Sequence, residues 1–127
     1  LRLGADKAVG VDIDGKAEDI ARENAAYNGF SAPRFTALTG NVTADHRLME
    51  QLTEENWDIV LVNIVADVIV ALAPVLPRLM GKGTRLICSG ILDTRLADVT
   101  AALTAAGIQV TSIRAKEDWR CVVGQRK

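Results

Sequence analysis

The 127-residue sequence has a single histidine, His46, and two cysteines, Cys88 and Cys121, too few and too scattered to make a metal-ligand set. Each thiol sits in an apolar run, which argues against a disulfide scaffold and suits a reducing compartment. An excess of one charge is also missing: 15 Lys and Arg stand against 16 Asp and Glu, a net charge of -1. A chain so balanced has no field to gather nucleic acid or an anionic membrane. Its longest apolar run, Ile59 to Leu76, is broken by Asn63, Asp67 and Pro74 and falls short of the ~20 residues that span a bilayer. No cleavable signal segment opens the chain, so a cytoplasmic protein is expected. Aromatic residues are few, and Trp57 and Trp119 read as packing residues rather than stacking platforms.

What is present is alternation. Lys7 to Ile13 is a short apolar run ending in acid, the pattern of a buried parallel strand. A helix follows, with Asp14 as its cap, Ala17, Ile20, Ala21, Asn24 and Ala25 on one face, and Asn28-Gly29 as its stop. Arg34 to Leu38 reads as a second strand and Ala44 to Leu52 as a modest helix. Trp57 to Val62 is the clearest buried strand, and it ends on the polar Asn63. Pro74 and Pro77 divide or kink the helix expected over Ala66 to Met80. Thr84 to Ser89 is a strand, Asp93 to Ala106 an amphipathic helix, and Gln109 to Arg114 with Arg120 to Val123 an antiparallel pair. The basic residues of this last stretch, Arg114, Lys116, Arg120, Arg126 and Lys127, read as a solvated chain end. The whole predicts one α/β domain over residues 1–127: a doubly wound, mostly parallel sheet with an antiparallel C-terminal edge hairpin.

Ligands of such sheets bind beyond the carboxyl ends of the strands, which singles out Asp12, Gly40 with Asn41, Asn63, and Ser89 with Gly90. A carboxylate in the place of Asp12 accepts the vicinal hydroxyl protons of a ribose; otherwise it joins Asp14 in capping the next helix. Gly40 and Asn41 either meet an adenine edge with a backbone donor and an amide or form a simple turn. Asn63 either faces a reacting centre or bonds nearby backbone. Ser89-Gly90 has no general base at motif distance, so it is read as backbone support rather than as a nucleophile.

These residues also carry a resemblance. Leu3-Gly4-Ala5, Gly10-Val11-Asp12-Ile13-Asp14, Ala21-Arg22-Glu23-Asn24-Ala25, Asp58-Ile59-Val60-Leu61-Val62-Asn63-Ile64, Ser89-Gly90-Ile91-Leu92 and Glu117 with Trp119 make the chain similar to a bacterial family. That family methylates the eleventh protein of the large ribosomal subunit. The resemblance implies a Rossmann-like methyltransferase that uses S-adenosylmethionine, with Asp12 on its ribose and Asn63 beside the methionine end and the incoming amine. It implies lysine and other amino groups of a ribosomal protein as substrate, with no direct nucleic-acid or membrane partner.

It further implies that the family's first strand, with its glycine-rich turn, is not in this sequence. Its absence would leave two central edges ~9 to 10 Å apart unpaired. Self-association through those edges and poor cofactor binding by the chain alone are the expected results. Two other readings stay open: a methyltransferase-like remnant that only binds or assembles, and a nicotinamide-dinucleotide-binding dehydrogenase domain, where Asp12 would serve a ribose equally well.

Overall fold

The computed structural model describes residues 1–127 and resolves them into two compact units, Leu1–Leu48 and Met49–Lys127. In the first unit, β1 (Ala8–Asp12) and β2 (Phe35–Thr39) form a two-stranded parallel sheet in which Asp12 is level with Thr39. They are joined through α1 (Gly15–Tyr27). Asp14 starts this helix as the sequence predicts, its Oδ1 accepting the Lys16 N–H at 2.9 Å. The stripe Ala17, Ala21 and Ala25 is half-buried, but Ile20 is 57% exposed. The expected apolar face is therefore narrower, because only the alanines lie along the line of contact. β1 is half-buried rather than buried, and in a two-stranded sheet it keeps one edge unpaired.

The second unit contains a four-stranded sheet in the order β3-β4-β6-β5. Its strands are β3 (Ile59–Asn63), β4 (Arg85–Leu92), β5 (Ile108–Lys116) and β6 (Trp119–Arg126). β3 and β4 run parallel, while β6 is antiparallel to both β4 and β5. α2 (His46–Thr53) begins two residues after its expected start, with Asp45 Oδ1 accepting the Leu48 N–H at 3.0 Å. The prolines do divide the next helical stretch, into α3 (Ala66–Leu72) and a 3-10 turn at Leu76–Leu79. A 3-10 turn at Asp93–Arg95 leads into α4 (Leu96–Ala105).

Ile69, Leu76, Met80, Leu86, Cys88, Ile91, Val99, Leu103, Ile108 and Val122 form the core of this unit, under α3 and α4. Strand alternation sends Val60 and Val62 toward that core and Ile59, Leu61 and Asn63 to the opposite face. Leu61 is 72% exposed there, so β3 is buried on one face, not on two as its unbroken apolar run suggested. β3 also ends the sheet and has an unpaired edge.

Two boundaries differ from expectation. β4 does not stop at Ser89 but continues to Leu92 through a register shift between Cys88 and Ile91. The final hairpin is longer and tighter: its turn is only Glu117-Asp118, with Glu117 in the left-handed region at φ 54°. The basic residues from Arg114 to Arg126 therefore belong to ordered strands and not to a loose tail, with Arg114, Lys116 and Arg126 solvent-exposed on them as expected. Arg126 Nη1 donates to the Met80 carbonyl at 3.1 Å. No helix is long and apolar enough to cross a membrane.

Candidate functional site

At the carboxyl ends of β1 and β2 the first unit brings together Asp12, Gly40 and Asn41. Asp12 is exposed, and its Oδ1 accepts the Asp14 N–H at 2.9 Å. One carboxylate oxygen is thereby oriented by the chain, while the other accepts no hydrogen bond from it. The two acids divide as the spacing suggested, Asp14 serving the helix end.

The parallel ladder runs one step further than the strands, for the Gly40 N–H donates to the Asp12 carbonyl at 2.9 Å. That amide is spent. A Cβ on Gly40 would lie 2.7 Å from Leu48 Cδ2, so glycine is what allows the chain to pass this side chain. Asn41 Oδ1 accepts from the backbone N–H and the hydroxyl of Thr43, at 3.0 and 2.6 Å. Such a side-chain turn leaves only the Asn41 Nδ2 hydrogens to offer.

In the second unit Asn63 closes β3 level with Ser89. Its amide has no hydrogen-bond partner within the chain and is exposed. Gly90, at φ +79°, lies against it: a Cβ there would stand 2.9 Å from Asn63 Oδ1 and 3.2 Å from the Ile64 carbonyl oxygen. The β4 irregularity therefore serves as the seat of the Asn63 carboxamide. Ser89-Gly90 supports neighbouring backbone, the role its sequence suggested.

Two open pockets adjoin this point. One, of about 550 Å³, is lined by Asn63, Ser89, Gly90, Arg114, Lys116 and Trp119 among others; the second, of about 350 Å³, includes Ile64, Asp67 and Arg95. Asn63, Gly90 and Trp119 line both. Trp119 is 52% exposed and is not the packing residue its sequence suggested. Its place follows from strand pairing with Lys116 and Leu92, a long-range fact that composition does not carry. Trp57 does pack, its Nε1 donating to the Leu52 carbonyl at 2.7 Å.

The titratable groups around these pockets are simple. Arg95 holds the Asp67 carboxyl below its ordinary range, first by hydrogen bonding and then by its charge. Burial, with a smaller contribution from Cys121, pushes the Cys88 thiol up to about 12, so it stays an inert core group. Cys121 is half-buried and lines the larger pocket. His46 is exposed at the start of α2, and no group of three or more His, Cys, Asp or Glu side chains is placed to hold a metal ion.

Polar residues at the carboxyl ends of parallel strands, in an α/β chain with a closing antiparallel hairpin, are what this chain shares with the Rossmann-like methyltransferases. Solved structures agree on this fold. The chain matches the ribosomal protein L11 methylase from Lactobacillus delbrueckii subsp. bulgaricus with a TM-score of 0.85 and 25% identity, covering 99% of this chain and 61% of that one. An RNA methyltransferase from Salinibacter ruber, solved with S-adenosyl-L-homocysteine, shares the fold at a TM-score of 0.65 and 17% identity, over 95% of this chain and 67% of that one.

The model of the ribosomal protein L11 methyltransferase (PrmA) family matches residues 1–127, and the chain belongs to that family. Relatives named ribosomal protein L11 methyltransferase are 36% identical in Agathobacter rectalis (strain ATCC 33656) and 37% identical in Pseudomonas syringae pv. tomato. The matches cover 99% and 100% of this chain but 39% and 40% of those proteins. The chain thus spans about 40% of the length of these curated relatives.

Proposed function

We propose that residues 1–127 belong to one catalytic domain of an S-adenosylmethionine-dependent protein N-methyltransferase. Its substrate in this reading is lysine and other amino groups of a large-subunit ribosomal protein, ribosomal protein L11, in the cytoplasm. Family membership supports the class of reaction and favours it over the dinucleotide-binding alternative. The observation that carries the reading to particular residues is the free Asn63 carboxamide, seated against Gly90 where two pockets meet.

The residues fit the cofactor's chemistry. Asp12 has one carboxylate oxygen fixed by the Asp14 N–H and one left to accept a ribose hydroxyl proton. Asn41 Nδ2 is the remaining donor for an adenine edge beside Gly40, whose own N–H is already used. When bound, S-adenosylmethionine supplies an electrophilic methyl group on a cationic sulfur.

Attack requires a neutral amine held in line, so the protein's contribution is orientation and exclusion of water. Asn63 Oδ1 accepts an N–H of the acceptor, turning the nitrogen lone pair away from the amide. The Asn63 side chain therefore acts as the catalytic orienting group and touches the cofactor's methionine end from the same position. The uncovered Trp119 ring gives the alkyl stem of a lysine an apolar surface.

In the full-length enzyme Asn63→Ala should lower turnover roughly a hundredfold, more than it lowers cofactor affinity, the scale seen when one positioned polar group is removed. A tritium-transfer assay with ribosomal protein L11 checks this, and unchanged turnover would sink the role of Asn63. Magnetic-resonance titration with S-adenosylhomocysteine should show binding weaker than micromolar by the chain alone, weakened further by Asp12→Ala.

A second reading draws on the unpaired edges of β1 and β3, which suit a module that assembles with another copy through strand addition. Sedimentation of the isolated chain as a monomer at all concentrations would remove it.

A further inference from the structure

From the hairpin beside Asn63 we propose a docking subsite for a carboxylate of the methyl acceptor, an acidic side chain close to the target amine. It would be built by Arg114 and Lys116, with Trp119 beside Lys116 on the neighbouring strand. The inference rests on the methyltransferase reading and names the class of polypeptide that its site selects.

Arg114 and Lys116 are two apart on β5, so they share one face of the strand. Their cross-strand partners on that face are Cys121 and Trp119. All four line the 550 Å³ pocket that also holds Asn63. The third cation in its lining is committed elsewhere: Arg120 Nη1 donates to the Glu117 and Trp119 carbonyls at 2.8 and 2.9 Å, bracing the turn, and Nη2 lies 4.0 Å from Asp93. Arg114 and Lys116 are exposed and have neither an ion pair nor a side-chain hydrogen bond within the chain. Two unpaired cations and an open indole on one face, beside the candidate orienting group, form a surface complementary to an anion on a polypeptide.

The arrangement also resolves an apparent conflict. Cations at the mouth repel a protonated lysine, but the ammonium form cannot be methylated. The acceptor's carboxylate therefore supplies the attraction to Arg114 and Lys116, and the amine beside it enters neutral.

The test compares two dye-labelled lysine peptides by fluorescence anisotropy, one flanked by Glu and one by Gln, titrated with the full chain without cofactor. The Glu-flanked peptide should bind roughly three- to tenfold more tightly at low salt, and the margin should shrink as salt is raised. Arg114→Gln with Lys116→Gln should abolish the margin, Arg114→Lys should keep it, and Arg114→Glu with Lys116→Glu should turn the preference toward a Lys-flanked peptide. Circular dichroism should show the variants folded, both positions being exposed.

Equal binding of the two peptides, absence of binding by either, or a margin that survives the double Gln variant overturns the proposal. So does a double Gln variant that weakens S-adenosylhomocysteine but not methylthioadenosine, since the carboxylate served would then be the cofactor's. Discrimination between the peptides together with unchanged turnover of Asn63→Ala in the full-length enzyme would instead defeat the reading of Asn63 and leave the docking surface standing.

Discussion

The two compact units are held by different forces. In Leu1–Leu48 only Ala37 and Leu48 are buried apolar residues, and α1 buries none of its side chains fully. What organises this unit is polar: the Asp12 and Asp14 turns, the Arg22 donation to the Ala37 carbonyl, and Glu18 shared by Thr39 and Arg22. Met49–Lys127 rests instead on packed aliphatic side chains, each contributing about 1.5–3 kcal/mol by its removal from water. Exposed hydrogen bonds and ion pairs contribute far less. The ribose candidate therefore stands on a unit with few buried apolar side chains and the amine candidate on one with a packed core.

The largest effect that tests this contrast is a cavity. Leu103→Ala, in the core under α4, should remove about 2–5 kcal/mol in denaturant unfolding, whereas Ile20→Ala on α1 should stay within about 0.5 kcal/mol. Equal losses would break the comparison. Gly90→Ala comes next, at roughly 1–3 kcal/mol, because it combines a positive φ with the Ile64 carbonyl 3.2 Å away, and Asn63→Ala should restore part of the melting temperature by clearing Oδ1.

A smaller change, about 1 kcal/mol, is expected of Asp14→Ala, seen as faster hydrogen exchange along α1 with the amides of β4 and β6 unaffected. The smallest concerns Asp67. Its lowered pKa means that its stabilising pairing with Arg95 is present above the ordinary value of 3.8 and is lost as the pH falls through the lowered one. Acid unfolding of Asp67→Asn should lack that slight slope below about pH 4.

Much of this was legible in the residues. The unbroken apolar run before Asn63, the caps of α1 and the prolines after α3 are local signals, and each placed its element. What could not be read locally was pairing. A serine and a glycine after Cys88 look like the end of a strand, and only the antiparallel partner β6 carries β4 past them to Leu92. Ala115 to Trp119 reads as a loop because a glutamate at φ 54° leaves no mark in composition.

The same holds for the candidate sites. Asp12 and Asn63 were visible as polar ends of apolar strands. That the Gly40 amide is consumed by the Asp12 carbonyl depends on the register of β1 against β2. Trp119 was misjudged for the same reason, its exposure being set by its strand neighbours and not by its own chemistry.

The position of β6 has a consequence for how the molecule is made. It follows β5 in the chain, yet it lies between β4 and β5 and pairs with both. During translation β5 therefore has no strand partner until residues 119–126 leave the ribosome, and the order β3-β4-β6-β5 cannot form before then. Early release of the nascent chain before Trp119 would yield no shortened version of this unit, only strands exposed to quality control.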